Sequence, residues 1–381
     1  MNHFTQKAFL GAILLISVSC NQKKSKNTMS QAPKKVEAQE LLVGTYTDAT
    51  SKGIYKMFFN SETGELENKG LVAEAVSPSY FAISKDRQYV YSVNEMEKGE
   101  VSSFKWNDDR TQLNLVSNVS SEGMHPCYAE LNSDESMFAT ANYSSGNIAV
   151  YNLDGKGGIQ EHPQTGQHTG KSIVVPNQEA PHAHCVKFSK DNNFLYAVDL
   201  GIDEIVLYPI DSQGKLDAKQ TALKLDAGDG PRHIIYHPTK DIAFIINELS
   251  SSVVSVKINT ETGAFEKIDK KSTLPEGFKG KSFCADIHIS SDGKFLYASN
   301  RGHNTIGIFS VSENGELELI GNESVQGEWP RNFVISPNEK FLLVANKDTN
   351  NITVFSIDAE TGLLTFTGNE IELSKPICLK F

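Results

Sequence analysis

Six stretches of the chain carry one pattern of apolar and polar positions: SPSYFAISKDRQYVYSVNE, HPCYAELNSDESMFATANY, HAHCVKFSKDNNFLYAVDL, GPRHIIYHPTKDIAFIINE, FCADIHISSDGKFLYASNR and WPRNFVISPNEKFLLVANK. In each, an alternating run leads through a polar turn into a second apolar run that closes on Asn or Asp. Those closing residues are Asn94, Asn142, Asp199, Asn247, Asn300 and Asn346, separated by 48, 57, 48, 53 and 46 residues. A third alternating run follows, as in NNITVFSID, then commonly a TG or GG turn and a fourth run such as GLLTFTGNEIEL. Period-2 alternation between turn residues predicts strands, and four strands in about 45 to 50 residues predict the blade of a β-propeller. Long amphipathic helical patterns are missing, so the expected class is all-β.

The two ends complete the count. ELLVGTYTDATSKGIYKMFFN matches the second half of a repeat, and SKPICLKF matches a first strand. Joined, they predict a seventh four-stranded antiparallel blade built from both termini, which closes the ring and removes the open sheet edge that an unclosed array would expose.

Repeats around an axis turn register into geometry, because residues at one repeat position form a ring. Fifteen residues before each closing residue stand Ser79, Cys127, His184, Arg232, Ala285 and Arg331. One residue after it stand Glu95, Tyr143, Leu200, Glu248, Arg301 and Lys347. Antiparallel pairing brings these two sets to the same end of each blade. His184, Arg232 and Arg331 with Glu248, Arg301 and Lys347 are therefore expected to converge at one mouth of the central channel, as a site rather than as solvated strand ends.

Charge narrows the function. With 36 basic and 47 acidic side chains among 381 residues the formal charge is −11, the wrong sign for neutralising nucleic-acid phosphates. At the N-terminus, Lys7 precedes an apolar run from Ala8 to Val18, too short for a stable bilayer span. Residues 1–19 are expected to be a signal peptide. The sequence Ser17-Val18-Ser19-Cys20 resembles a bacterial lipobox, so Cys20 is the expected lipid-acceptor and the sole membrane attachment; the alternative is an ordinary secreted protein that loses Cys20. Residues 20–39 are polar and basic, as suits a flexible tether, and the folded domain is expected over 40–381. The address expected is the cell envelope or periplasm. Cys127, Cys185, Cys284 and Cys378 are spaced too widely for a stapled scaffold or a CxxC metal site and are expected as buried thiols.

The strings GTYT, PSYFAIS, HPCYAELN, PHAH, GPRHIIYHP, NELSSSVVSV, SNRGHNTIGIF and PRNFVISPNEKFLLVANKDTNNITVFSIDAETG resemble, in order and over residues 41–381, the lactonase family of seven-bladed propellers. That family includes bacterial 6-phosphogluconolactonases and fungal carboxymuconate cyclases. By resemblance to the muconate branch of the family, functional roles are implied for His184 of PHAH, Arg232 of GPRH, Glu248 of NEL and Arg301 of SNRGH, all of them members of the rings above. The resemblance implies a carboxylic ester hydrolase that opens a small-molecule lactone, with 6-phospho-D-glucono-1,5-lactone as reference substrate and no cofactor.

Such chemistry needs a base for water and positive groups for the developing oxyanion and any substrate anion. His184 and Glu248 are the candidate catalytic pair, in either order. Arg232 and Arg301, with Arg331 and Lys347 behind them, are the candidate substrate-binding cations. No GxSxG elbow suggests a nucleophilic serine. His182, His184, Asp286 and His288 are donors of the type that bind metals, but i and i+2 share a face in any strand, and no metal is expected. Trp106 and Trp329 are expected to pack between blades. Two other readings remain: a non-catalytic envelope propeller that binds a protein or glycan, and a lactone-forming cyclase of the carboxymuconate type.

Overall fold

A computed structural model describes residues 38–381, together with 1–3, 5, 7 and 8. The chain divides into two units, Met1–Val36 and Glu37–Phe381. The expected signal peptide, Cys20 and most of the tether lie outside the described residues.

The second unit contains seven four-stranded antiparallel sheets and no helix among the described residues. Six blades are contiguous in sequence, with innermost strands Phe81–Ile83, Pro126–Leu131, Ala183–Phe188, Pro231–Tyr236, Phe283–Ile289 and Pro330–Ile335 for blades 1 to 6. Blade 7 takes its innermost strand, Pro376–Lys380, from the C-terminus and its other three, Ala38–Thr45, Gly53–Asn60 and Leu66–Glu74, from the N-terminal side. Each innermost strand touches those of both neighbouring blades, and the strand Pro376–Lys380 touches Phe81–Ile83, so the ring is closed. The seam between blades 7 and 1 is also tied on the outside, where Arg110 grips Glu40 through Nη2 to Oε1 (2.5 Å) and Nε to Oε2 (3.3 Å). Trp106 lies beneath Arg110 and Lys56 there, packing between blades as expected.

The second strand of each blade explains the long apolar runs. Ile242–Asn247 and Phe341–Asn346 are buried at every position, because neighbouring blades cover both faces of the sheet and leave no polar side. The outermost strands are wet: Leu113–Ser120 keeps one buried residue and exposes most of the rest. The four cysteines of the blades are buried thiols.

The closing Asn has a structural task in four repeats, while Asn247 donates within its own blade to Ser252 Oγ at 2.9 Å. Asn94, Asn142, Asn300 and Asn346 donate through Nδ2 to the carbonyls of Val76, Ser121, Thr273 and Val325, each just past the outer strand of the preceding blade. These buried amides clip one blade to the next. Asp199 has no amide to donate. It accepts instead from the backbone N–H of His182 and Gly201, and its second oxygen pairs with Nδ1 of His168 at 2.6 Å. His168 occupies the connector position that a carbonyl serves elsewhere, so one clip is built with its donor and acceptor exchanged.

Candidate functional site

The inner strands share an irregularity that aims the site. In blade 4, Pro231 pairs with Asn247 and His233 with Ile246, so Arg232 has no partner in the ladder. The same bulge skips Cys127, His184, Arg331 and Ile377, and in blade 5 it skips Ala285 and Asp286. A bulged residue is freed from pairing and its side chain is re-aimed. Cys127, His184, Arg232, Ala285 and Arg331 are five of the six positions that stand fifteen residues before the closing residues. The entry to several bulges is constrained as well: His125, Gly230, Trp329 and Lys375 have φ between 51° and 62° and precede Pro126, Pro231, Pro330 and Pro376. At Gly230 a side chain is also barred by space, since a Cβ would stand 2.4 Å from Leu249 Cγ.

Blades 3 to 5 supply the quartet. Glu248 Oε2 receives Arg301 Nη2 at 2.7 Å and has Arg232 Nε at 3.1 Å. The second contact is an ion pair without hydrogen-bond alignment, because the Arg232 Nε–H finds no acceptor. Arg301 is fixed further by the carbonyls of Cys284 (2.7 Å) and Phe283 (3.2 Å), and Arg232 by that of Ala285 (2.6 Å). His184 closes the group: Nδ1 lies 3.7 Å from Cys127 Sγ, and its ring meets those of His233 and Tyr143 edge-on at 5.4 and 5.5 Å.

Burial and charge set the protonation states. Burial, with Arg232, His233 and Arg331 nearby, pushes the His184 imidazolium well below its ordinary value, so the ring is neutral at pH 7. Burial raises the Glu248 carboxyl, but Arg301 and Arg232 outweigh it and hold the group below its ordinary value, ionised. Arg232 is lowered to about 10 by burial and by Arg301 and Arg331, and still carries its charge at neutral pH.

Behind the quartet runs a buried support. Arg232 Nη1 donates to His233 Nε2 at 3.0 Å, which assigns the proton of His233 to Nδ1, and that N–H donates to Asp286 Oδ1 at 2.9 Å. Asp286 also accepts from His288 Nε2 (3.1 Å), Asn332 Nδ2 (2.5 Å) and the backbone N–H of Ile287 and Phe333. Burial and Arg232 press the His233 imidazolium down to about 3. Tyr80 and Tyr128 stack at 4.2 Å beside His233.

Of the expected cations, Arg331 and Lys347 keep different company. Arg331 Nη2 stands 3.7 Å from Glu95 Oε2 and its guanidinium lies over Tyr46, whose hydroxyl donates to Glu95 Oε1 at 2.9 Å. Lys347 pairs with Asp348 at 2.5 Å. Trp329 sits between Lys347 and Arg301, 5.8 and 5.4 Å from its ring centroid, so it packs between blades 5 and 6 and also backs a substrate-binding candidate. Among the metal-type donors of the sequence, His182 is engaged with the Tyr143 carbonyl (2.9 Å) and Asp286 with the donors above. No group of three or more metal-type side chains assembles among the described residues.

The sequence profile for the seven-bladed β-propeller lactonases matches residues 40–381. The chain belongs to the lactonase family. Among curated relatives, a 6-phosphogluconolactonase of Bacillus subtilis is 34% identical, over 89% of this chain and 97% of its own. Another protein of that name, from Formosa agariphila, is 36% identical over 85% and 94%. Among solved structures, the periplasmic gluconolactonase of Pseudomonas aeruginosa superposes with a TM-score of 0.83 at 30% identity, covering 90% of this chain and 98% of its own. Within this lactonase-family chain, the four residues that the resemblance names stand at the strand-end positions that the repeat register reads out. Register included Glu95 but gave it no role, and it missed Tyr46, which joins Glu95 beside Arg331, and the His233–Asp286 support, where only the pattern of polar residues in an otherwise apolar inner strand gave a signal.

Proposed function

We propose that this chain hydrolyses a sugar lactone by general-base activation of water. The observation that carries the proposal is the convergence of a neutral imidazole, His184, with a carboxylate, Glu248, held between the guanidiniums of Arg232 and Arg301. In this reading His184 takes a proton from water as the water oxygen bonds to the lactone carbonyl carbon. Arg232 and Arg301 stabilise the oxyanion. The C–O bond of the ring then breaks, the leaving ring oxygen takes the proton back from His184, and the new carboxylic acid releases one proton to solvent. Arg232 is one of the charges that suppress His184 as a base in the resting site. An oxyanion beside Arg232 offsets that charge, so the base strengthens as the transition state forms. Glu248 keeps the two guanidiniums in place and orients water.

The names of the relatives support a lactone with a six-carbon sugar acid as product. With the secretion signal and lipid-accepting Cys20 expected from the sequence, the proposal puts the reaction at the cell envelope. The test is acid release from gluconolactone and 6-phosphogluconolactone, followed with a pH indicator above the spontaneous rate. Glu248→Gln and His184→Ala are each expected to lower kcat about 100-fold or more. If both leave turnover unchanged, the proposal is wrong.

A further inference from the structure

The buried side-chain atoms left without a hydrogen bond include Ser79 Oγ, Glu95 Oε2 and Arg232 Nε. Arg232 belongs to the quartet. The other two belong to blade 1, at the same two repeat positions that carry Arg232 and Glu248 in blade 4. Ser79 is 3% exposed. Glu95 is anchored at Oε1 by the Tyr46 hydroxyl from blade 7, while Oε2 stands 3.7 Å from Arg331 of blade 6, beyond hydrogen-bond reach. In a ring of seven, blade 1 faces blades 4 and 5 across the channel and blade 7 faces blades 3 and 4, while blade 6 adjoins blade 5. The charge of Arg331 acts on His184, Arg232 and Glu248.

Native structures rarely leave buried polar atoms unpaired without a reason, and a ligand is one of the few. We propose that Glu95, Ser79 and Arg331 form a second station across the mouth that holds the hydroxyl-bearing end of an uncharged sugar lactone. This rests on the lactonase reading and names the substrate class within it. An ionised carboxylate is an acceptor with no proton to give, so Glu95 Oε2 matches a sugar hydroxyl. A phosphate would bring its own acceptors and negative charge to the same oxygen. Ser79 can accept from or donate to a neighbouring hydroxyl, and Arg331 donates to a hydroxyl oxygen while compensating the charge of Glu95. The station therefore favours an unphosphorylated aldonolactone over its phosphate ester.

The experiment compares kcat/KM for gluconolactone and 6-phosphogluconolactone in the intact chain, Glu95→Gln and Ser79→Ala, the last changing one buried atom with little risk to folding. The intact chain is expected to prefer gluconolactone. Losing a hydrogen bond to a charged group predicts a fall of about 10-fold or more for gluconolactone in Glu95→Gln, with the phosphate ester unchanged or improved. Ser79→Ala is expected to raise KM for gluconolactone about 3-fold or more with kcat little altered. A preference of the intact chain for the phosphate ester overturns this inference and leaves the lactonase reading standing. So do variants that lower both substrates equally, or neither. An intact chain that opens neither lactone overturns both.

Discussion

Asp286→Asn removes one charge from the centre of the molecule without changing its size, and its cost follows from counting donors. The carboxylate is 2% exposed and accepts five hydrogen bonds, from the side chains of His233, His288 and Asn332 and the backbone of Ile287 and Phe333. An amide has one oxygen. If that oxygen keeps His233 and Ile287, the new NH₂ faces Asn332 Nδ2 and the Phe333 N–H, while His288 can adapt by changing tautomer. Two buried donors are stranded at about 1 to 3 kcal/mol each, so the loss is roughly 2 to 6 kcal/mol. With a urea slope on the order of 3 kcal/mol per molar, the unfolding midpoint at pH 7 drops by about 1 M. The effect should also depend on pH in a stated direction. The surrounding histidines and hydrogen bonds overcome burial and hold the Asp286 carboxyl well below its ordinary range. Its contribution is thus complete above the unfolded value near pH ~4 and fades as pH falls below it. A variant that unfolds at the wild-type urea concentration at pH 7 would show that the carboxylate is not the hub described above.

Two further outcomes are expected. His184 and His233 are both held neutral in the folded chain, so below pH ~6.5 the unfolded chain binds protons that the folded chain refuses. Stability should fall by about 1.4 kcal/mol per pH unit for each histidine, continuing for His233 toward its folded value of about 3; urea midpoints that stay level between pH 7 and 5 would contradict the assigned charge states. Deleting residues 375–381 removes the buried Ile377, Cys378 and Leu379 and the N–H of Leu379 that satisfies Asn332, uncovers the inner edge of Ala38–Thr45 and opens the ring. Circular dichroism and limited proteolysis should find the whole propeller lost, and a protease-resistant six-blade remnant would count against closure as a condition of folding.

The repeat was legible because the blades spend the same residue types on the same tasks: apolar runs where neighbours cover both faces, Gly in turns and, in four blades, Asn at the clip. Register alone placed Arg232 and Glu248 at one end of blade 4, and the ion pair between them follows from that placement. It did not reveal the bulge, because an unpaired residue in an inner strand looks in sequence like any other step of the alternation. Partner choice was hidden for the same reason. Arg331 and Arg232 share a register position, yet Arg232 meets Glu248 of its own blade, whereas blade 6 carries Lys347 at the position of Glu248 and Arg331 turns to Glu95 of blade 1. Asp199 read as a tolerated variant of Asn, and only the contact with His168, 31 residues earlier in the chain, shows that its partner changed with it.

The bulge has an evolutionary corollary. Because its side chain sits outside the ladder, a bulged position owes nothing to strand pairing, and its occupant can be exchanged while the backbone that holds it is kept. In this chain those seats already hold a thiol at Cys127, an imidazole at His184, guanidiniums at Arg232 and Arg331 and a plain aliphatic at Ile377. Changes of substrate in such a scaffold can therefore proceed one seat at a time, with each step judged on chemistry rather than on survival of the fold.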